Sequence, residues 1–142
     1  MHNILQLPKW MDTEVAWSIG FILKYGTITY MSIFVKRPYK MVIKTEASQA
    51  LELARVHKSM LNLGMNGITR TSTELCTSDA NTLCILYELM YNNGKKIVPN
   101  VILDGPDEII EYFLDGYEQV DPLDDNEIEL KNGLMICKKY VT

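Results

Sequence analysis

The sequence predicts a single α+β domain in which helices alternate with antiparallel β-hairpins. Two observations lead to this prediction. Segments with apolar residues at helical spacing alternate with short segments rich in β-branched and aromatic residues. The chain has 142 residues, of which 47% are hydrophobic; this suffices for one core and is too little for two well-sized domains. The predicted order is helix, hairpin, helix, hairpin, helix, and then a further helix and hairpin.

The first predicted helix is apolar on nearly every side. Asp12 or Thr13 can cap it, Glu14 lies in its first turn, and Gly26 can end it. Residues 17–26 read WSIGFILKYG, whereas a surface helix typically shows one apolar stripe and a polar back. We therefore expect this helix to bury two sides.

A hairpin and a second helix follow. TITYMSIFV and MVIKT are rich in β-branched and aromatic residues and flank KRPYK, which predicts a hairpin over residues 27–45. From Ser48 to Leu63, apolar residues recur at helical spacing, and Gly64 stops the run. The sequence therefore predicts a second helix that packs one face on the sheet.

The next segments repeat this order. GITRTS and TELCT, within residues 67–77, predict two short strands. Ser78 and Asp79 can cap a third helix, which we expect to run to Gly94.

The C-terminal part predicts one more helix and one more hairpin. Pro106 suits the first residue of a helix, and Pro122 must end it. EIELKNGLMICKKYV then predicts two strands around Asn132 and Gly133, because Asn-Gly is a strong short-range hairpin signal.

Charge is divided unevenly along the chain. Residues 1–100 hold eleven Lys/Arg and seven Asp/Glu, a balance of +4, while residues 101–142 hold three and eleven, a balance of −8. Residues 104–129 contain all eleven of these acids and no base. The hairpin over residues 27–45 is the reverse, with cations and no acid. The acidic segment would repel a duplex at close range, and it could dock on a basic partner or cover the protein's own basic sheet.

Cysteine usage and hydropathy predict a soluble intracellular protein. Cys76, Cys84 and Cys137 form no CxxC pair, and His2 and His57 are distant from them in sequence, so we expect buried free thiols rather than a disulfide framework or a zinc site. The longest apolar run is about half of the ~20 residues that cross a bilayer, and the N-terminus lacks signal-peptide features. Organism and compartment, including an organellar or viral origin, stay open.

Two glycines lie ninety-six positions apart in similar settings. Gly20 within WSIGFILKYG and Gly116 within YFLDGYEQVDP each follow aromatic and aliphatic residues in a predicted helix, and each helix precedes a predicted hairpin. A residue without a Cβ would let the two helix backbones approach closely. We expect either this packing or one internal helix with an unrelated glycine.

Four segments together resemble the LAGLIDADG homing endonuclease family, in particular the type found inside inteins. They are TEVAWSIGFILKYGTITY, IKTEASQALELARVHKSMLNLG, GITRTSTEL and NNGKKIVPNVILDGPDEIIEYFLDGYEQVDP, and they cover roughly residues 12–122. KKIVP before an acidic helix is similar to the lead into the family's second motif helix. The resemblance implies an αββαββα half over residues 12–103, a truncated second half over residues 104–142, motif helices paired through Gly20 and Gly116, and a sheet that lies in the DNA major groove.

The resemblance also implies a metal-dependent chemistry that this sequence only partly supports. In the family, an acid near the end of each motif helix binds divalent metal, usually magnesium, which orients water and stabilises the phosphate transition state. Here Tyr25 and Leu23 stand at the acidic positions of the first motif, and a phenol is a poor magnesium ligand. Asp121 stands at the metal position of the second motif and is the one candidate catalytic acid and metal ligand; its alternative role is a helix-ending surface carboxylate.

Duplex DNA is the partner that the resemblance implies for the basic hairpin. The candidate phosphate contacts are Lys24, Lys36, Arg37, Lys40, Lys44 and Arg70. Four threonines could bond base edges or phosphates if they face the groove: Thr27, Thr29, Thr69 and Thr71. The alternative is a solvated hairpin whose charges discourage edge-to-edge pairing. His57 is expected to be a partly exposed structural residue.

Three functions follow from these observations. The first is a nucleic-acid-binding protein derived from a LAGLIDADG endonuclease, with cleavage weakened or lost. The second is a domesticated interaction or structural subunit of a larger assembly, with a protein partner or a homodimer formed through the motif helices or the acidic C-terminal segment. The third is an active magnesium-dependent endonuclease that relies on Asp121. No membrane partner is expected.

Overall fold

The computed structural model describes residues 7–32, 34, 37–117 and 128–141. It confirms the α+β fold class with a small antiparallel sheet. The helices are α1 (Thr13–Tyr25), α2 (Ala50–Asn62), α3 (Ala80–Met90), α4 (Asn100–Leu103), α5 (Asp107–Tyr117) and α6 (Ile128–Val141). The strands are β1 (Gly26–Tyr30), β2 (Pro38–Lys44), β3 (Ile68–Arg70), β4 (Glu74–Thr77), β5 (Tyr91–Asn92) and β6 (Lys95–Lys96), and a 3₁₀ turn at Ala47–Gln49 precedes α2.

The chain divides into two compact units. One comprises Met1–Leu23 and Met90–Thr142, and the other comprises Lys24–Leu89. The predicted division of a single domain between residues 103 and 104 stays a prediction.

The unit Lys24–Leu89 is built on a four-stranded antiparallel sheet in the order β1-β2-β4-β3. The two predicted hairpins, β1–β2 and β3–β4, are therefore confirmed. The alternation of side chains along each strand buries one face, which carries Ile28, Met41, Ile43 and Leu75. The apolar stripe of α2 is buried as well and consists of Leu53, Val56 and Met60.

The helices begin at the caps that the sequence provides. The Asp12 carboxylate accepts a hydrogen bond from the Val15 N–H at 2.9 Å, and the Asp79 carboxylate accepts one from the Thr82 N–H at 3.0 Å. Each bond satisfies a backbone donor of the first turn that has no partner within the helix. The caps therefore fix the starts of α1 and α3.

The other unit contains all of α1 except its last two residues, the short hairpin β5–β6, and helices α4 to α6. Nine consecutive residues of α1, from Val15 to Leu23, are buried. This confirms the prediction that α1 has no solvent-facing side over that span. Among the helices that the structure describes, none combines the length and apolarity that a membrane crossing needs.

The segment that was predicted as a C-terminal hairpin is the helix α6. Its buried residues, Leu130, Gly133, Leu134 and Cys137, recur at helical spacing and form one stripe. A Cβ at Gly133 would lie 2.7 Å from Val98 Cγ2. Glycine inside a helix costs about 1 kcal/mol, whereas each buried leucine contributes about 1.5–3 kcal/mol. Packing therefore outweighs the turn preference of Asn132–Gly133.

A hairpin that the sequence analysis missed replaces the end of the predicted third helix. α3 ends at Met90 rather than continuing to Gly94, and β5 pairs with β6. Asn93 has φ 53° and Gly94 has φ 79°, so both central residues of the turn occupy the left-handed region. This is the two-residue turn whose twist matches antiparallel strands.

Candidate nucleic-acid interface

The four-stranded sheet has a second face, opposite to its buried face. Residues paired across antiparallel strands share a face, and the register pairs Thr27 with Val42, Thr29 with Lys40, Lys44 with Glu74, and Thr69 with Cys76. We call these eight residues the open face. Thr27, Thr29, Lys44 and Thr69 are exposed, and the other four are half-buried.

The open face combines two cations with a row of hydroxyl groups. Lys40 and Lys44 lie on the same side of β2, four residues apart, which places them about 13 Å from each other along the strand. Arg37 is exposed directly before β2. Such a surface can offer ammonium groups to phosphates and hydroxyls to phosphates or base edges. Lys36, a further predicted contact, lies outside the described residues.

One acid and one thiol moderate this surface. Glu74 is the cross-strand partner of Lys44, so part of that lysine's charge is balanced. The Thr69 hydroxyl lies 3.0 Å from the Cys76 sulfur. Lys40 is paired with Thr29 rather than with an acid, so it carries most of the net positive charge of this face.

Two of the predicted cations, Arg70 and Lys24, are not part of the open face. The register pairs Arg70 with Leu75, which belongs to the buried face, so the structure does not bring Arg70 to the open face. Arg70 Nε instead donates a hydrogen bond to His57 Nδ1 at 3.0 Å, on the side of the sheet where α2 packs. Lys24 is half-buried in the last turn of α1. Arg70 therefore lies on the opposite side of the sheet from Lys40 and Lys44, and its phosphate contact stays a prediction.

His57 is the half-buried structural residue that was expected. Its Nδ1 accepts the bond from Arg70, so the imidazole is neutral in this arrangement. Burial and the Arg70 charge, in that order, lower the pKa of His57. A neutral, hydrogen-bonded imidazole at this position orients Arg70 rather than serving as a base near the open face.

The end of α1 carries no carboxylate. The Tyr25 hydroxyl accepts a hydrogen bond from Gln49 Nε2 at 3.1 Å, and Leu23 is buried. Lys96 Nζ donates a hydrogen bond to the Leu23 carbonyl oxygen at 2.8 Å, where it complements the negative end of the helix dipole. A phenol and an apolar side chain do not suit magnesium, which prefers carboxylate and water oxygens.

The metal site that the resemblance implies therefore lacks support at α1. Asp121, the remaining candidate ligand and catalytic acid, lies outside the described residues. Within the ranges described, no group of three His, Cys, Asp or Glu residues is arranged to hold a metal ion. The described residues at the end of α1 do not suit a magnesium site, and metal binding by Asp121 stays a prediction.

The motif-helix residues Gly20 and Gly116 do come together. A Cβ added to Gly20 would collide with the Phe113 carbonyl oxygen and would lie 2.8 Å from the Tyr117 nitrogen. A Cβ added to Gly116 would collide with the Trp17 carbonyl oxygen. The backbones of α1 and α5 are therefore in direct contact at these two positions. Nearby, the rings of Trp17 and Phe21 stack with centroids 5.3 Å apart.

The three thiols differ in exposure, which partly corrects the expectation of buried cysteines. Cys137 is buried, and burial raises its pKa to about 12. Cys76 is half-buried, whereas Cys84 is exposed. A hydrogen bond to Glu88 and the charge of that carboxylate raise the pKa of Cys84. All three are free, as predicted.

A shallow cavity between the start of β2 and α3 was not predicted from the sequence. Its volume is about 270 Å³, and its lining consists of Arg37, Pro38, Ala80, Leu83, Cys84, Tyr87 and Glu88. The lining residues come from two segments that are more than forty positions apart, so only the fold brings them together. The Tyr87 ring meets the Tyr30 ring edge-on, with centroids 6.0 Å apart.

Comparison with known proteins adds no relative: no protein-family model matches the chain, and neither does any curated protein.

Proposed function

We propose that this chain is a nucleic-acid-binding protein of LAGLIDADG-endonuclease descent that binds duplex DNA on the open face, with cleavage weakened or lost. The observation that carries the binding proposal is the composition of that face. Lys40 and Lys44 lie among the exposed hydroxyls of Thr27, Thr29 and Thr69 on one side of an antiparallel sheet. Duplex DNA presents phosphates at regular spacing and base edges between them, which such a surface can contact.

The proposed descent is supported by element order and by the two glycines. Apart from the 3₁₀ turn before α2, the elements from α1 to α3 follow the order αββαββα that the resemblance implies. α1 and α5, the helices that carry the two motif-like segments, are in contact at Gly20 and Gly116. Both features were expected from the resemblance. The alternative, one internal helix with an unrelated glycine, does not account for a contact between α1 and α5 at both glycines.

Weakened cleavage follows from the end of α1. The position at which the family has a metal-binding acid is occupied by Tyr25, whose hydroxyl is engaged by Gln49. One remaining acid, Asp121, could support at most the nicking of one strand. Binding without double-strand cleavage is therefore the activity that we propose.

The binding proposal is tested by fluorescence anisotropy with labelled duplex DNA at several salt concentrations. We expect the double variant Lys40→Ala/Lys44→Ala to bind more weakly and to reduce the slope of log affinity against log salt by about two, because each lost phosphate contact reduces it by roughly one. Lys58→Ala is the matched control, since Lys58 is exposed on α2, away from the open face. Absence of binding by the unmodified protein at low salt, or an equal effect of Lys58→Ala, rejects the proposal.

A second candidate function is an interaction subunit of a larger assembly. Two neighbouring helices favour it: α5 exposes the acids Asp107, Glu108, Glu111 and Asp115, and α6 exposes the apolar residues Met135 and Ile136. An exposed apolar pair beside a charged face is typical of contact surfaces. Purification from the native source in a stable complex, with the surface of α6 protected from hydrogen exchange, would favour this function over DNA binding.

A further inference from the structure

The turn between β1 and β2 exposes apolar side chains to an unusual extent. The Phe34 side chain is 89% exposed and that of Met31 is 59% exposed. Large apolar side chains are rarely left this open, and contiguous exposed ones generally mark a contact site. Burial of the Phe34 ring by a partner would therefore contribute favourably to the free energy of binding.

Two hydrogen bonds involve the described residues around Phe34. The Met31 N–H donates to the Arg37 carbonyl oxygen at 2.9 Å, which continues the pairing of β1 with β2. The Phe34 N–H donates to the Ser32 hydroxyl at 3.2 Å. Phe34 is thus presented at the end of a paired β-ribbon, which carries the open face along its length.

Charge decides what kind of partner suits this turn. Residues 27–45 contain four cations and no acid. Arg37 follows the turn directly and is exposed, and Lys40 and Lys44 continue along β2 on the open face. The partner must therefore offer negative charge along the ribbon and an apolar surface at its end. Duplex DNA offers both, because phosphates line its grooves and base faces become accessible when one step is unstacked.

We infer that Phe34 is a wedge that stacks on a base of the duplex bound to the open face, with Arg37 on the adjoining phosphates. This inference rests on the proposed function and deepens it. Aromatic and other apolar side chains that enter a base step unstack it in part and bend the duplex. The wedge would add affinity that does not depend on base sequence, since every base has a face on which an aromatic ring can stack.

The wedge is tested by comparing DNA with dextran sulfate, a polyanion that has no bases. We expect Phe34→Ala to weaken DNA binding about tenfold, in line with the stacking energies measured by alanine substitution, and to leave binding to dextran sulfate unchanged. Phe34→Trp should keep the DNA affinity of the unmodified protein. Leu51→Ala is the matched control, because Leu51 is 84% exposed but lies on α2, and it should change neither affinity.

The fluorescence of Phe34→Trp gives a second readout. We expect its added emission, relative to the unmodified protein with Trp10 and Trp17, to be quenched by DNA and not by dextran sulfate. Equal DNA affinity of Phe34→Ala and the unmodified protein would overturn the wedge while leaving the proposed function intact, provided that Lys40→Ala/Lys44→Ala still weakens binding. If the unmodified protein does not bind DNA at all, both the wedge and the proposed function are rejected. A blue shift with anionic vesicles and no quenching by DNA would overturn the wedge in favour of a lipid surface.

Discussion

His57 and Arg70 form a hydrogen bond that only a neutral imidazole can make. Arg70 Nε donates to His57 Nδ1 at 3.0 Å, and a proton on that nitrogen would replace the bond by repulsion between two cations. Burial and the Arg70 charge lower the pKa of His57 in the folded protein. The unfolded chain therefore binds more protons than the folded chain in the range just below the ordinary histidine pKa.

This difference predicts a dependence of stability on pH. The contribution of His57 is fully present above its unfolded pKa, near 6.5, and is lost as the pH falls through that value towards the lower folded pKa. We expect the melting temperature to fall between pH 7.5 and pH 5.5. His57→Gln, which keeps an acceptor for Arg70 and does not titrate, should make the fall smaller. An identical fall in both proteins would assign it to other groups.

At the scale of elements, the contact between α1 and α5 has the sharpest consequence. Replacing a helical glycine by alanine normally stabilises a helix by about 1 kcal/mol. At Gly116 the added methyl group would collide with the Trp17 carbonyl oxygen and would lie 2.7 Å from the carbonyl carbon of the same residue. Backbone atoms cannot move aside as a flexible side chain can, so the helices must separate and lose the packing around this contact.

We therefore expect Gly116→Ala to lower the free energy of unfolding by about 1–3 kcal/mol, the usual cost of overpacking, despite its better helix propensity. Gly20→Ala should act in the same direction, because its Cβ would meet the backbone of Phe113 and Tyr117. Chemical denaturation measures both. Glu111→Ala, an exposed position on the same helix, is the control and should change little. Unchanged or increased stability of Gly116→Ala would contradict the backbone contact.

The three Asn-Gly pairs of this chain show what a local signal can predict. Asn93–Gly94 forms a tight hairpin turn with both residues at positive φ. Asn66–Gly67 precedes β3, and Gly67 has φ 67°. Asn132–Gly133 lies inside α6. Local preference predicts a turn at all three pairs. The helix at Gly133 could not be predicted in this way, because the contact of Gly133 with Val98 joins residues that are distant in sequence.

The predictions that succeeded rest on signals that extend over whole elements or on strong local caps. The all-round apolarity of α1, the caps at Asp12 and Asp79, and the β-branched strands of the two hairpins depend on residues close in sequence. The side of the sheet on which Arg70 lies could not be predicted, because a shift of one residue in the register would move it to the other face. The sequence analysis considered the cations of the hairpin over residues 27–45 and did not predict the exposure of Phe34.

At the scale of the whole molecule, charge is separated along the chain. The first hundred residues carry a balance of +4 and the last forty-two a balance of −8. The described part of the acidic region includes the exposed residues Glu111 and Asp115 on α5. If the open face binds DNA, acids anywhere on the same molecule oppose the approach of a polyanion at low salt, when charges interact over longer distances.

We therefore expect Glu111→Gln/Asp115→Asn to strengthen DNA binding about two- to threefold at an ionic strength near 0.01 M, where the screening length is about 30 Å. The gain should vanish near 0.15 M, where that length is about 8 Å.

Glu111 and Asp115 are four residues apart on one helix face, so removing their mutual repulsion should not destabilise α5. Fluorescence anisotropy at the two ionic strengths measures the effect, and circular dichroism confirms that the helix content is unchanged. A gain of equal size at both ionic strengths would point to a direct contact of α5 with DNA, and no gain at either would show that the acidic helix does not influence the affinity for DNA.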